Sequence, residues 1–453
     1  MTQASVSEAL ASRIAAADPA ALPARVREVA EDLVLDVAGL CIAARETDYV
    51  RAALATATSE GRSTAIGHAR LFDCATSALV NGTAAHGEDF DDTFEGGPVH
   101  AGAPVVPAVL AAAEEFGRDG AAVLKGIVVG VETICRLSLV TPKLVHKAGF
   151  HPTAVFGTMA AAAAVGATLG LDAPRIAHAL GIAGSMAGGI IEYLADGAWT
   201  KRLHPGWAAQ SGIRAALLAQ HGFVGPRTVF EGTHGLFKGF AHTSDGDWGK
   251  LLDGFGTSWV TETLAFKPFA CGTMTHPYID CAIRLARRGI PAEAIESITC
   301  EVAEGTVHRL WEPLAAKHAP PNAYAAKFST PFCIAAGFIL GDAGLAAFTE
   351  ETARDPRLRG LAAKVRYEID PANPYPREFT GHIRARLESG ETVEERQPHL
   401  RGGAHEPLSR AAVEAKFFAN AAFGGWTRAQ AEAARERLRA LFLGPIDLTA
   451  LRG

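Results

Sequence analysis

Asp89-Phe90-Asp91-Asp92-Thr93 places three carboxylates within four residues, with His86 just before and His100 just after. Crowded carboxylates repel one another and must be satisfied by metal, by cations or by water. A calcium loop counted from Asp89 fails: its sixth position is Phe94, where glycine is needed, and its twelfth is His100, where glutamate is needed. A second cue is Gly149-Phe150-His151-Pro152-Thr153. Proline favours the first helical position, so His151 is expected at the cap, where the helix dipole disfavours a protonated ring. A neutral imidazole near pH 7 is a competent base, although a lone histidine at a cap more often only packs. Two cationic groups follow, Thr200-Lys201-Arg202-Leu203-His204 and Phe266-Lys267-Pro268-Phe269-Ala270-Cys271, the latter with His276 nearby. Each lysine alone reads as a solvated surface residue. Together, lysines and imidazoles supply what a substrate with two or three carboxylates requires: point charges for the anions and rings that move a proton.

The elements that must carry these residues are helical by period before residue 290. Val26, Val29, Leu33, Val37 and Leu40 recur at three- and four-residue steps over residues 23–45, the spacing of one apolar helix face. Further helices are expected over Ala103–Phe116, Ala121–Leu137, Arg175–Ala187 and Gly206–Gln220. From Pro152 to Leu171 twenty residues carry no formal charge, enough to cross a membrane. Half are Ala and Gly, which gain little in lipid and let helices approach closely, so a buried central helix is expected instead. Beyond residue 290 the period becomes two: Ile298, Cys300 and Val302; Val365, Tyr367 and Ile369; Ile383, Ala385 and Leu387, running into the turn Ser389-Gly390. With helices at Tyr278–Arg288 and Phe328–Leu340 this part reads as α+β. Helix returns after Ser409, and Thr427 with Gln430 forms a capping-box pattern before Ala431–Phe442.

Length and composition bound the function. A chain of 453 residues accommodates two or three structural units. Its 48% hydrophobic and 20% charged residues describe a well-buried globular protein. Lys and Arg number 43 against 49 Asp and Glu, a formal charge of −6, so neither nucleic acid nor an anionic membrane is an expected partner. The seven cysteines are scattered and never paired as Cys-x-x-Cys; they read as buried thiols of a reducing cytoplasm. Residues 1–18 carry no leader pattern, which makes the cytoplasm the expected location. Phosphate-loop, dinucleotide, zincin and nucleophile-elbow motifs are missing.

Asp91-Asp92-Thr93-Phe94-Glu95 fits the Asp-Asp-x-x-Asp/Glu pattern and resembles magnesium-dependent helical terpene synthases. The companion motif that would supply the other metal ligands is missing downstream. A third reading is a non-catalytic helical scaffold with a decayed pocket.

Several ordered motifs resemble the MmgE/PrpD family, which includes 2-methylcitrate dehydratase, cis-aconitate decarboxylase and iminodisuccinate epimerase. They are Asn81-Gly82 with His86, Asp89 to Thr93 and His100, Gly149 to Thr153, and Thr200 to His204. Lys267 to Phe269, Ala326-Lys327-Phe328-Ser329, Pro407-Leu408-Ser409 and Val413 to Phe417 complete the set. The resemblance spans nearly the whole chain. It implies a mainly α fold: a large all-helical domain from residues 1–265 and 406–453, and a smaller inserted α+β lid domain from residues 266–405. It further implies a cofactor-free homodimer without bound metal, with its active site in the cleft between the domains. Carried over by motif, the site residues are Asp89, Thr93, His100, His151, Lys201 and Lys267. Of these, Asp89, His100, His151, Lys201 and Lys267 are the expected catalytic residues; Thr93, both lysines and His276 are expected to bind substrate. The implied activity is a lyase or isomerase of 2-methylcitrate dehydratase type. It acts on a small di- or tricarboxylate by proton abstraction or decarboxylation next to a carboxylate, with His151 the expected base. Where other members place proline and serine after the histidine, this chain has Ala101-Gly102-Ala103, which points to a substrate other than methylcitrate or aconitate.

Overall fold

The computed structural model describes residues 4–453. The chain forms two compact units: one holds residues up to Leu264 together with Arg410–Gly453, the other Ala265–Ser409. The protein is mainly α, with small sheets.

In unit 1, α1 (Ala24–Ala44) follows Pro23 at its cap. The Asp73 side chain caps α2 (Cys74–Gly87) and that of Asp119 caps α4 (Gly120–Val140); between them lies α3 (Gly102–Glu115). The alanine-rich segment forms α5 (Pro152–Leu169), with His151 at its cap, Pro152 at its first position and every residue buried. Around it pack α3, α4, α6 (Ala173–Gly184) and α7 (Thr200–Gln220). Alanine on every side lets four helices close on one, because no long side chain holds their axes apart.

The start of α7 departs from the expected Gly206, since the helix begins at Thr200 and runs through Pro205. As the sixth residue, Pro205 both gives up the bond to the Lys201 carbonyl and crowds that carbonyl with its ring, a cost that hides the helix from a reading by sequence. The apolar period was also hidden there, because Trp199, Leu203 and Trp207 are exposed. Lys201 and His204 are thereby placed on a rigid first turn and a half. Where α2 crosses α7, two glycines face each other. A Cβ on Gly82 would stand 2.6 Å from the Cα of Gly206, and one on Gly206 would stand 2.2 Å from the Leu79 carbonyl oxygen. That backbone-to-backbone approach brings the end of α2, with His86, toward the start of α7.

Unit 2 contains α8 (His276–Arg287), β1 (Ile295–Val302), α9 (Thr330–Leu340), β2 (Val365–Ile369), β3 (Gly381–Leu387) and β4 (Thr392–Gln397). The strands form one sheet in the order β2-β1-β3-β4, parallel between β1 and β2 and antiparallel elsewhere. Register pairs Cys300 with Tyr367 and with Ile383. Ile298, Cys300 and Val302 are buried, and α8 packs on β3, β4 and α9. Pro371 to Pro376 lies in the loop between β2 and β3.

The chain returns to unit 1 with α10 (Arg410–Phe423), which packs on α1, and α11 (Arg428–Arg439), which starts with a Thr427/Gln430 capping box. All seven cysteines are buried and free.

Candidate active site

The loop after α2 is built from its own acidic residues. Asp89 takes a left-handed backbone conformation, φ 54°. Asp92 accepts the N–H groups of Ala101 (2.8 Å) and Gly102 (2.9 Å), so its carboxylate serves the orphan donors at the start of α3. Glycine at 102 has a packing reason: a Cβ there would stand 2.5 Å from Asp92 Oδ1 and 2.6 Å from Leu33. From α10, the Lys416 ammonium donates to the Phe90 carbonyl at 2.7 Å, pairs with Asp36 of α1 at 2.7 Å and lies 3.9 Å over the Phe90 ring. A buried cation thus fixes the loop whose next residue faces the histidines.

Asp91 is fully buried between two imidazoles, 2.7 Å from His86 Nδ1 and 3.4 Å from His100 Nδ1. His100 Nδ1 also lies 2.8 Å from the Asp92 carbonyl. A carbonyl can only accept, so His100 carries hydrogen on Nδ1, which leaves Nε2 as the position that gains or loses a proton. The His100 backbone N–H donates to Thr153 Oγ1 in the first turn of α5. Burial drives the Asp91 carboxyl up, yet the charges of His100 and His86 and hydrogen bonds from both outweigh it and hold it well below the usual range. Burial, then the Asp91 charge, raises Asp92 to about 7 against its backbone donors.

His151 completes the group. Its ring does not cap α5 but lies with Nδ1 3.1 Å from Nδ1 of His204. His86 stacks on it at 5.6 Å between centroids, and the Tyr193 ring stands edge-on at 6.3 Å. Burial first, then the charges of His86, Lys201, His204 and His100, pushes His151 well below the usual histidine range. His86 is lowered to about 4 by burial against the pull of Asp91, and His204 to about 4 by burial, His86 and Lys201. These three rings are neutral at pH 7. Beside them Lys201 Nζ meets Asp89 Oδ1 at 2.5 Å, with side chains only 14% and 6% exposed. Neither is the solvated surface charge that its type alone would give.

Of the expected residues, unit 1 brings together Asp89, His100, His151 and Lys201. Thr93 opens a two-residue strand, half-buried, and among the described residues its hydroxyl bonds to none of the four histidines. Lys267 and His276 belong to unit 2 and are buried there. His276 Nε2 donates to the Cys271 carbonyl at 3.3 Å and its ring meets Phe269 edge-on. The terpene-synthase pattern is not upheld: Asp91 and Asp92 lie on no helix and are engaged by imidazoles and by α3, so the motif offers no free aspartate pair. His86, Asp89 and His100 do offer ligand atoms within 4.8 Å of one another, but the Lys201 ammonium occupies the Asp89 side of that group. His86 as a partner of Asp91, His204 as a partner of His151 and Lys416 as the loop's anchor were missed as site residues. The three-residue step from Lys201 to His204 on one helix was the available signal, hidden by the misplaced helix start.

A family model described as the MmgE/PrpD N-terminal domain matches residues 8–248, and one described as the MmgE/PrpD C-terminal domain matches residues 269–440. Cis-aconitate decarboxylase of Homo sapiens is 31% identical over 367 residues, 76% of this chain and 72% of that protein. A cis-aconitate decarboxylase-like protein of Aspergillus oryzae is 27% identical over 402 residues, 83% of this chain and 82% of its own length. Cis-aconitate decarboxylase of Aspergillus terreus is 30% identical over 283 residues, covering 59% and 57%.

Proposed function

This chain belongs to the MmgE/PrpD family, and we propose that it is a lyase that decarboxylates a tricarboxylate of the cis-aconitate class. The observation that carries this reading is one group in unit 1: the Lys201–Asp89 pair beside neutral, buried imidazoles, with His100 held against Asp91. When a C–CO2⁻ bond breaks, its electron pair stays with the carbon skeleton. Conjugated to a neighbouring carboxylate, that pair becomes an enediolate, which a proton then quenches. The enzyme must therefore stabilise an anion and move one proton.

Lys201 serves the anion, because an ammonium held by Asp89 is already positioned and its attraction grows as charge develops on the carboxylate. His100 suits the proton. Its imidazolium form, compensated by Asp91 as a buried carboxylate compensates a catalytic imidazole elsewhere, gives the Nε2 proton to the enediolate carbon, is left neutral and is reprotonated from water. His151 sits at a helix start with no carboxylate against it, so we assign it a neutral donor's role toward the enediolate in place of the base expected from the cap alone. Lys267 is assigned a second substrate carboxylate on its motif.

Dehydration of a 2-methylcitrate-like acid and epimerisation pass through the same kind of carbanion; the departure at Ala101-Gly102-Ala103, which pointed away from aconitate, is outweighed here by the similarity to cis-aconitate decarboxylases. The test is a panel of cis-aconitate, 2-methylcitrate and related acids in deuterated water, followed by proton NMR and carbon dioxide release. Cis-aconitate should release carbon dioxide and leave one deuterium in the product. Loss of water would favour the dehydratase, exchange without conversion the epimerase, and silence with every acid would refute the proposal.

A further inference from the structure

His204 lies on α7 and has no place in the roles given above, yet its Nδ1 stands 3.1 Å from Nδ1 of His151. Two imidazole nitrogens at that distance share one hydrogen: one ring donates and the other accepts. Burial, the helix start at α5 and the nearby Lys201 keep both rings neutral. Each ring then has one hydrogen in total, so whichever ring accepts at Nδ1 must carry its own hydrogen on Nε2. The pair always presents one N–H and one bare nitrogen at its two outer positions.

The positive end of α5 decides between the two arrangements. Nδ1 is joined to Cγ and lies nearer the backbone than Nε2 does. At a cap residue it is therefore the nitrogen closer to the unpaired N–H groups of the first turn, which favour a lone pair there. His204 is the fifth residue of α7, beyond the turn in which that field acts. The site is also braced for this contact: the His151 backbone N–H donates to the Gly189 carbonyl at 2.8 Å, and Tyr193 stands edge-on to both rings, 6.3 Å from His151 and 5.9 Å from His204.

We propose that His204 is a positioning residue: it donates Nδ1–H to His151 and so fixes His151 as the tautomer with hydrogen on Nε2, ready to donate to an enediolate oxygen. The inference rests on the donor role assigned to His151 above. It resembles the way a neutral imidazole polarises an oxygen when a helix start keeps it unprotonated.

Nitrogen-15 NMR of the resting protein tests the tautomer without any substrate. His151 should show a protonated Nε2 and a bare Nδ1, and His204 the reverse. The opposite pattern would overturn the proposal whatever the reaction proves to be. Turnover gives the second arm. His204→Phe should lower kcat about 10²-fold with KM changed less than about threefold, the scale of a lost preorganised donor or a wrong tautomer. His204→Asn, whose amide N–H can reach the same nitrogen, should recover most of the loss. Wild-type kcat in His204→Phe, or no recovery in His204→Asn when thermal unfolding shows both variants folded, would equally overturn it. Should the wild type turn over none of the panel acids, the function fails while the tautomer is still decided by NMR.

Discussion

On α4, Glu132 and Arg136 stand one helical turn apart and bury their charges completely. Arg136 Nε meets Glu132 at 2.5 Å, and its other nitrogens donate to the carbonyls of Lys250, Asp253 and Ser258. Glu132 accepts from the backbone of Val260 and Thr261 and from the Thr261 hydroxyl. The group at the end of α2 buries comparable charge differently. His86 Nε2 is buried without a hydrogen-bond partner and Asp91 Oδ1 has only the His100 ring at 3.4 Å, whereas every buried side-chain polar atom of Glu132 and Arg136 is hydrogen-bonded among the described residues. Unsatisfied buried polar atoms cost free energy, and these stand beside the groups proposed to act on the substrate. The first group ties a loop to a helix; the second holds hydrogen-bonding capacity in reserve.

The strongest way to break this contrast is Arg136→Met. It strands a buried carboxylate and should cost about 3–5 kcal/mol of folding free energy, read by urea unfolding, with turnover per folded molecule unchanged. A loss of activity in the folded fraction would erase the distinction.

Lys201→Met should act the other way, lowering kcat/KM about 10²–10³-fold while circular dichroism reports an intact fold. A wild-type rate would remove Lys201 from the site.

Within the histidines, His100→Gln should abolish carbon dioxide release and, with it, delivery of the single deuterium to the product. His151→Gln should keep both measurable but about 10²-fold slower. The reverse outcome would return the proton-moving role to His151.

The smallest effect concerns pH. Burial lowers His86 from the usual 6.5 to about 4 in the folded protein, so its neutral burial contributes stability above pH 6.5 that is lost as pH falls toward 4. Between pH 7.5 and 5 this removes about 2 kcal/mol. Asp92 and Asp32, raised by burial to about 7 and about 6, act oppositely: their contribution is lost as pH rises through those values. They remain in His86→Asn, which should therefore lose about 2 kcal/mol less than the wild type over the same interval in paired denaturant titrations. Equal losses would show that His86 does not titrate there.

Much of the fold was legible because it is written in period. The faces of α1 and α4, the buried helix α5 with Pro152 at its first position, and the alternation of β1 to β4 all follow from spacing and from one proline. The capping box at Thr427 needed only four residues. Recognition of the family followed from ordered motifs, and it pointed to lysines and histidines whose isolated readings were surface charges and caps.

The sequence by itself determined which residues could do chemistry and on which helices they ride, since local spacing sets helix, cap and face. Tertiary structure alone decided their states. That Asp92 serves α3 while Asp91 serves two imidazoles, that Lys201 finds Asp89, and that His151 turns from its cap to His204 depend on how α2, α5 and α7 cross. Those crossings rest on contacts between residues 50 to more than 100 positions apart in the chain. Burial then sets each proton's place through the loss of water, a property of the packed neighbours and not of any residue's own type.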